Sequence, residues 1–349
     1  MVRDRVGYDA PRSLRRRLLL AAQDVLYWSG AAAIYSCSQR SAAPVILMYH
    51  SVPCEDDAAW IAPRNRMHPS RFERQMRFLS RHRRVVAIDE LRDALERGDP
   101  IPPRTVLLTF DDGYRDNLEV VAPILQEYRL PAALYLATGY VTDGENQWAD
   151  QLYVAIRRRR RDHLDLDGVG QFDLGRPEVR EAAYRAIAER LLVADRLSRE
   201  QTLRRISEQL MLDSRSIRQT LTWEEVRRLA DQNPLLTLGV HTADHLDLSS
   251  VTVNDAMGQI RRSVVEFEAR LGRLPRHFSF PYSRSVQEIC RRLPELGIST
   301  AMTGTETSDA AQPDPLDLRR IEAPVSLTRL RYVTSGAHPR LSQNLLGRA

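Results

Sequence analysis

Apolar runs of strand length alternate with helix-period segments along most of this chain, and that alternation limits the fold more than any other feature. Val45 to Tyr49 reads as a buried strand that runs into His50. "HPSRFERQMRFLSRH" reads as a helix with Phe72, Met76 and Leu79 on one face and Ser70 and Glu73 as a capping box. "VVAIDELRDAL" supplies a short strand and a second helix. The strand "TVLLTF", the helix "NLEVVAPILQEYRL" and the strand "AALYLAT" follow. Past residue 219 the rhythm resumes with the helix "TWEEVRRLADQ", boxed by Thr222 and Glu225, and the strand "LLTLGV". "NDAMGQIRRSVVEFEARLG" is a helix that Asn254 can cap and Gly272 ends. "HFSFPYS", "VQEICRRLPELG", "ISTAMT" and a further candidate strand in "RRIEAPV" complete the series. Strands joined through helices run parallel. Seven or eight such units predict an α/β fold, and a barrel rather than an open sheet.

Three segments stand outside the rhythm. Residues 144–219 are charged and helical in character and predict a helical insertion on one loop. Their "RRRRRD" run, Arg157 to Asp162, reads as a solvated helix face, with an anionic polymer as the sharper alternative. Residues 1–42 form a leader, and residues 324–349 a tail behind the main domain at 43–323. In the leader, Gln23 and Asp24 interrupt the apolar stretch, and Val25 to Gln39 is too short to span a bilayer. An amphipathic helix starting near Arg15–Arg17 fits better. It packs on the main domain or lies on a membrane surface through Leu18–Leu20 and Trp28. A cytoplasmic or peripheral membrane location is therefore expected.

Composition narrows the chemistry. All 51 basic residues are Arg, which excludes a lysine Schiff base and a phosphate loop that needs its Lys. A net charge of +5, with acids interspersed, gives no nucleic-acid signature. Cys37, Cys54 and Cys290 are odd in number and widely spaced, so no disulfide framework or zinc-finger spacing exists.

Three strand ends carry unusual residues: Asp111 and Asp112, His241 and His245 in "HTADH", and Phe280 to Ser283 in "FPYS". In an α/β barrel such ends converge on one face. Histidines at i and i+4 can point the same way from one helical turn. Two imidazoles and one carboxylate make an N₂O set with positions left open, as a catalytic zinc site requires. The adjacent acid sits beside the bound water, whose pKa a metal lowers from about 15.7 towards ~7, and can take its proton.

"TFDDG" resembles the first motif of the polysaccharide deacetylases, the NodB-homology or carbohydrate esterase family 4 group. "HTADH" resembles that family's H-[ST]-x-x-H motif, and "FSFPYS" lies where its third motif would. The resemblance spans roughly Ala43 to Ala323. It implies a distorted (β/α)7–8 barrel and metal-dependent removal of acetyl groups from a polysaccharide or glycan precursor. Asp112, His241 and His245 would hold a divalent metal, zinc first and cobalt or nickel next. Asp111 would be the base, and the Tyr282 amide would face the oxyanion. Pro281, Tyr282 and Trp148 would contact substrate, with Asp150 beside Trp148. The chain departs from the pattern before the Pro, where Ser279 and Phe280 stand and the third motif usually has an Arg, and at Ser283, where it has Gly. No late Leu-x-His is evident, and His338 lacks its apolar context. "VILMYHSV" resembles the N-terminal strand of the exopolysaccharide and biofilm branch, which makes His50 an acid or a partner of Asp111. His68, His82, His163 and His277 read as surface or packing residues. The departures leave two alternatives: an O-acetyl esterase and a non-catalytic glycan-binding protein.

Overall fold

The computed structural model describes residues 43–212, 217–304 and 313–336, with Val25, Ser29 and Gly30. The expected leader helix, with Leu18–Leu20 and Trp28, and His338 lie outside the described residues. Ten strands are described: β1 (Val45–Tyr49), β2 (Arg84–Val85), β3 (Thr105–Phe110), β4 (Ala132–Leu136), β5 (His163–Leu166), β6 (Gly170–Asp173), β7 (Leu236–Val240), β8 (His277–Ser279), β9 (Thr300–Met302) and β10 (Arg320–Glu322). Seven run in the order β10-β1-β3-β4-β7-β8-β9, every neighbour parallel, with β2 added against β3. The ring nearly closes: Leu318, two residues ahead of β10, bridges to Met302, and its N–H donates to the Ala301 carbonyl at 2.9 Å. The expected distorted (β/α) barrel is the observed architecture.

Strand parity sorts the side chains. All six residues of β3 are buried, because helices cover one face and the barrel interior takes the other. Val45, Leu47, Val106 and Leu108 pack outward in the large core with α1 (Pro69–His82), α8 (Trp223–Gln232) and α9 (Val253–Leu271). Ile46, Leu107, Ala133, Tyr135 and Met302 fill the interior, closed by Ile88, Leu91 and Leu95 of α2 (Ile88–Arg97). Gly239 belongs to this interior row. A Cβ there would lie 2.5 Å from the His277 carbonyl oxygen and 2.8 Å from the Tyr135 ring, so only glycine admits that ring. Continuing the parity upward from Ile46, Leu107 and Gly239 aims His50, Asp111 and His241 into the barrel mouth.

Several sequence expectations need correction. The α1 cap is His68, whose Nδ1 accepts from the Ser70 N–H at 3.2 Å; Pro69 takes the first helical position, so Ser70 lies inside the helix. Thr252, not Asn254, caps α9, accepting from Asp255 N–H at 3.2 Å. The Thr222–Glu225 box and the left-handed Gly272 terminus are as expected. The insertion is not purely helical. It carries α5 (Trp148–Arg157), α6 (Pro177–Leu192) and α7 (Arg196–Gln209), but also an antiparallel hairpin of β5 and β6. Leu164 and Leu166 alternate with exposed His163 and Asp165, a two-residue period too short to register as a pattern in the sequence. The arginine run is likewise no helix face: α5 ends at Arg157, and Arg158 lies 4.0 Å from the centre of the Trp60 ring. Leu152, Ile187, Leu203 and Ile206 give the insertion a core that reaches Trp60 and Tyr140 of the main body. Among the described residues no helix is long and apolar enough to cross a membrane.

Candidate active site at the barrel mouth

β3 delivers two acids with different surroundings. The Asp111 N–H donates to the Tyr49 carbonyl at 3.1 Å, extending the β1–β3 ladder by one residue. Asp112 and Gly113 then both take φ of +74°, which turns the chain sharply. Glycine suits that conformation, and Asp112 adopts it against its preference. Asp111 is 2% exposed and accepts two hydrogen bonds from Arg320, at 2.8 Å and 2.7 Å. Arg320 is fully buried on β10 and also donates to Ser279 Oγ at 2.9 Å. Burial pushes the Asp111 carboxyl up, but Arg320 and then His241 outweigh it and hold it below the usual carboxylate range.

Asp112 meets the two histidines. The donor atoms of Asp112, His241 and His245 all lie within 4.8 Å of one another. Asp112 Oδ1 is 3.1 Å from His245 Nε2 and 3.7 Å from His241 Nε2, yet it is buried without a hydrogen-bond partner. His241 Nδ1 donates to the Ser279 carbonyl at 2.7 Å, which leaves Nε2 as a bare lone pair. A buried carboxylate oxygen and imidazole lone pairs that converge without a shared proton fit a cation between them. Burial lowers the His241 pKa to about 4, so the ring is neutral, as a ligand must be. The "HTADH" segment is not the expected helical turn. Thr242 and His245 have φ of 63° and 50°, and this irregular loop, not an i, i+4 helical face, brings the rings to 4.8 Å between centres. Among the described residues, five of the eight non-glycine residues with positive φ sit here: Asp112, Thr242, His245, Tyr282 and Ser283. Strained backbone of this kind gathers at functional sites.

A cavity of about 210 Å³ opens over these groups. His50 lines it from the end of β1, as do Arg64, Trp148, Tyr282 and Arg284. Asn117 Nδ2 donates to the His50 carbonyl at 3.0 Å, and Asp116 accepts from Ser51 Oγ and from Val52 N–H at 3.0 Å. Tyr282 has φ of 57°, and its ring stands edge-on to His245 at 4.7 Å. Pro281 is buried at the start of the same turn. Trp148 is 3% exposed, and its indole N–H is already donated to the Tyr282 hydroxyl at 2.8 Å. Asp150 is 1% exposed and turns away from the cavity towards Ala62 N–H and the Tyr114 hydroxyl. His277 is a packing residue, between Thr300 and Asp89. Sequence reasoning missed Arg320. The sequence offered one signal: Ser279 and Phe280 stand where the third motif usually carries its own arginine.

A family model described as polysaccharide deacetylase matches residues 98–301, more than half of the chain. The chain belongs to the polysaccharide deacetylase family. The matched span of this family member includes Asp111, Asp112, His241, His245 and Tyr282; His50 and Arg320 lie outside it. YxkH of Bacillus subtilis, named for the same family, is 26% identical over 139 residues, 38% of this chain and 47% of its own. The poly-beta-1,6-N-acetyl-D-glucosamine N-deacetylase of Escherichia coli is 47% identical over 47 residues, 14% of this chain and 7% of its own. The chain thus spans less than half the length of these curated relatives. IcaB from Ammonifex degensii superposes with a TM-score of 0.55 at 16% identity, over 85% of this chain and 98% of that one. The Streptococcus pyogenes deacetylase PplD gives 0.54 at 16% identity, over 84% and 99%. These likenesses establish the barrel fold.

Proposed function

We propose that this protein is a metal-dependent hydrolase that removes N-acetyl groups from a polysaccharide or glycan precursor. One observation carries the reading: the unpartnered Asp112 oxygen converges with two histidine Nε2 atoms, directly beside the Asp111–Arg320 pair. The N₂O donor set with open positions favours zinc. A bound divalent cation would supply Lewis-acid polarisation of the acetyl carbonyl and acidify a water.

The chain's own residues do the rest. Asp111, kept ionised by Arg320, accepts a proton from the attacking water. The Tyr282 amide, aimed by its left-handed backbone, donates to the developing oxyanion. His50, on the same cavity wall, returns a proton to the leaving amine. Arg64 and Arg284, the latter ion-paired with Asp247, line the cavity wall and would meet sugar hydroxyls.

Acetate release from N-acetylglucosamine oligomers, measured on metal-loaded protein, tests the reading. Asp111→Asn should lower kcat by ~10²–10⁴-fold with metal retained. His241→Ala should lose the metal. Turnover that survives both changes defeats the mechanism. Release from acetyl xylan but not from the oligomers would favour the O-acetyl esterase instead.

A further inference from the structure

Three contacts converge on one hydroxyl at the rim of the site. Tyr282 Oη accepts from Trp148 Nε1 at 2.8 Å, lies 3.0 Å from His245 Nδ1, and donates to the His245 carbonyl at 3.2 Å. A phenol has one proton and two lone pairs. Indole N–H can only donate, so Trp148 takes one lone pair. The proton goes to the His245 carbonyl. The second lone pair faces Nδ1, which therefore carries the imidazole proton. Nε2 is left bare towards Asp112 Oδ1. The opposite tautomer would set the bare Nδ1 against a hydroxyl whose proton already goes to the His245 carbonyl.

We infer that Trp148, acting through the Tyr282 hydroxyl, is a positioning residue for the metal ligand His245, and that the 144–219 insertion is thereby part of the metal site. This rests on reading Asp112, His241 and His245 as metal donors. Trp148 begins α5 of the insertion, and Tyr282 follows β8 of the barrel, so the contact crosses 134 residues. A second insertion residue grips the same loop. Arg199 on α7 is 1% exposed and donates to the carbonyls of Asp244 and His245, each at 3.1 Å. Its guanidinium also lies 5.3 Å from the centre of the Trp148 ring. His245 holds a positive φ that its own backbone disfavours, so a fixed ring orientation has to come from such outside contacts.

The test is zinc affinity of the full chain, measured by competition with a chromogenic chelator, for wild type, Tyr282→Phe, Trp148→Phe and the double variant. Melting curves of the metal-stripped proteins verify that each is folded. Loss of a hydrogen bond behind a metal histidine weakens binding ~10–100-fold, and we expect that for Tyr282→Phe. Trp148→Phe should cost less, and the double variant should match Tyr282→Phe, because both changes act through one hydroxyl. The visible absorption of the cobalt-loaded protein should shift in the same order. Unchanged affinity in Tyr282→Phe, or independent multiplying losses, overturns the relay while leaving the metal reading intact. A wild type that binds no zinc overturns both.

Discussion

At the residue scale, the Asp111–Arg320 pair shows how a buried carboxylate is kept ionised, the state that the proposed base requires. Arg320 is fully buried, and its fork matches the carboxylate in two parallel hydrogen bonds. Arg320→Leu leaves that charge uncompensated and should cost ~3–5 kcal/mol of stability, seen as a lower denaturant midpoint. Arg320→Lys should recover only part of it, since a point charge cannot make both bonds. The pH profile gives a second measurement. Without Arg320, the largest influence opposing burial is gone and the Asp111 pKa rises, so the acid limb of kcat/KM should move to higher pH. Arg320 was hard to read from sequence because its partner lies 209 residues away. By contrast Asp111, Asp112, His241 and His245 were legible, since each sits at or just past a strand end inside a short motif.

At the element scale, the segment leaving β1 is tied to the start of the helix after β3. Asp116 accepts from Ser51 Oγ and Val52 N–H, and Asn117 holds the His50 carbonyl. Asp116→Ala strands those buried donors and should destabilise the fold by ~2–4 kcal/mol. It should also lower kcat more than it raises KM, because His50 is placed through this contact. Burial raises the Asp116 pKa to about 7, from an ordinary value of 3.8. The folded state therefore holds a proton that the unfolded chain gives up. That contribution is complete below about pH 4 and is lost as pH rises through about 7. Thermal melts across this window should show wild type losing up to about 1.4 kcal/mol per pH unit relative to Asp116→Asn. The cap corrections belong to the same scale. His68 with Pro69 behind it, and Thr252, took the two helix starts two residues upstream of the expected caps, and a hairpin of four-residue strands hid inside a helical-looking insertion.

At the scale of the whole molecule, barrel and insertion share one apolar layer. Trp60, Ala137 and Tyr140 of the main body pack in the same cluster as Leu152, Ile187 and Leu203 of the insertion. The candidate metal donors come from β3 and from the loop after β7, two strands that β4 separates. A cation bridging them stabilises only the folded chain. Zinc at about 100-fold excess over its Kd should add about 2.7 kcal/mol. A chelator should lower the melting temperature by several degrees, and His245→Ala should abolish that difference. Equal melting with and without chelator would show that the site holds no metal.

Local rules were enough for the alternation, the parallel barrel, the paired acids at the end of "TVLLTF" and the histidines of "HTADH". Period and strand parity depend only on residues a few positions apart, so the sequence carries them openly. The order β10-β1-β3-β4-β7-β8-β9 depends on which strands become neighbours, and no local pattern encodes that. Only the assembled barrel set Arg320 against Asp111, and only the docked insertion set Trp148 behind Tyr282 and His245. The paired carboxylates thus came from the sequence, while the charge that keeps one ionised and the loop geometry that leaves the other facing two imidazoles came from the tertiary fold.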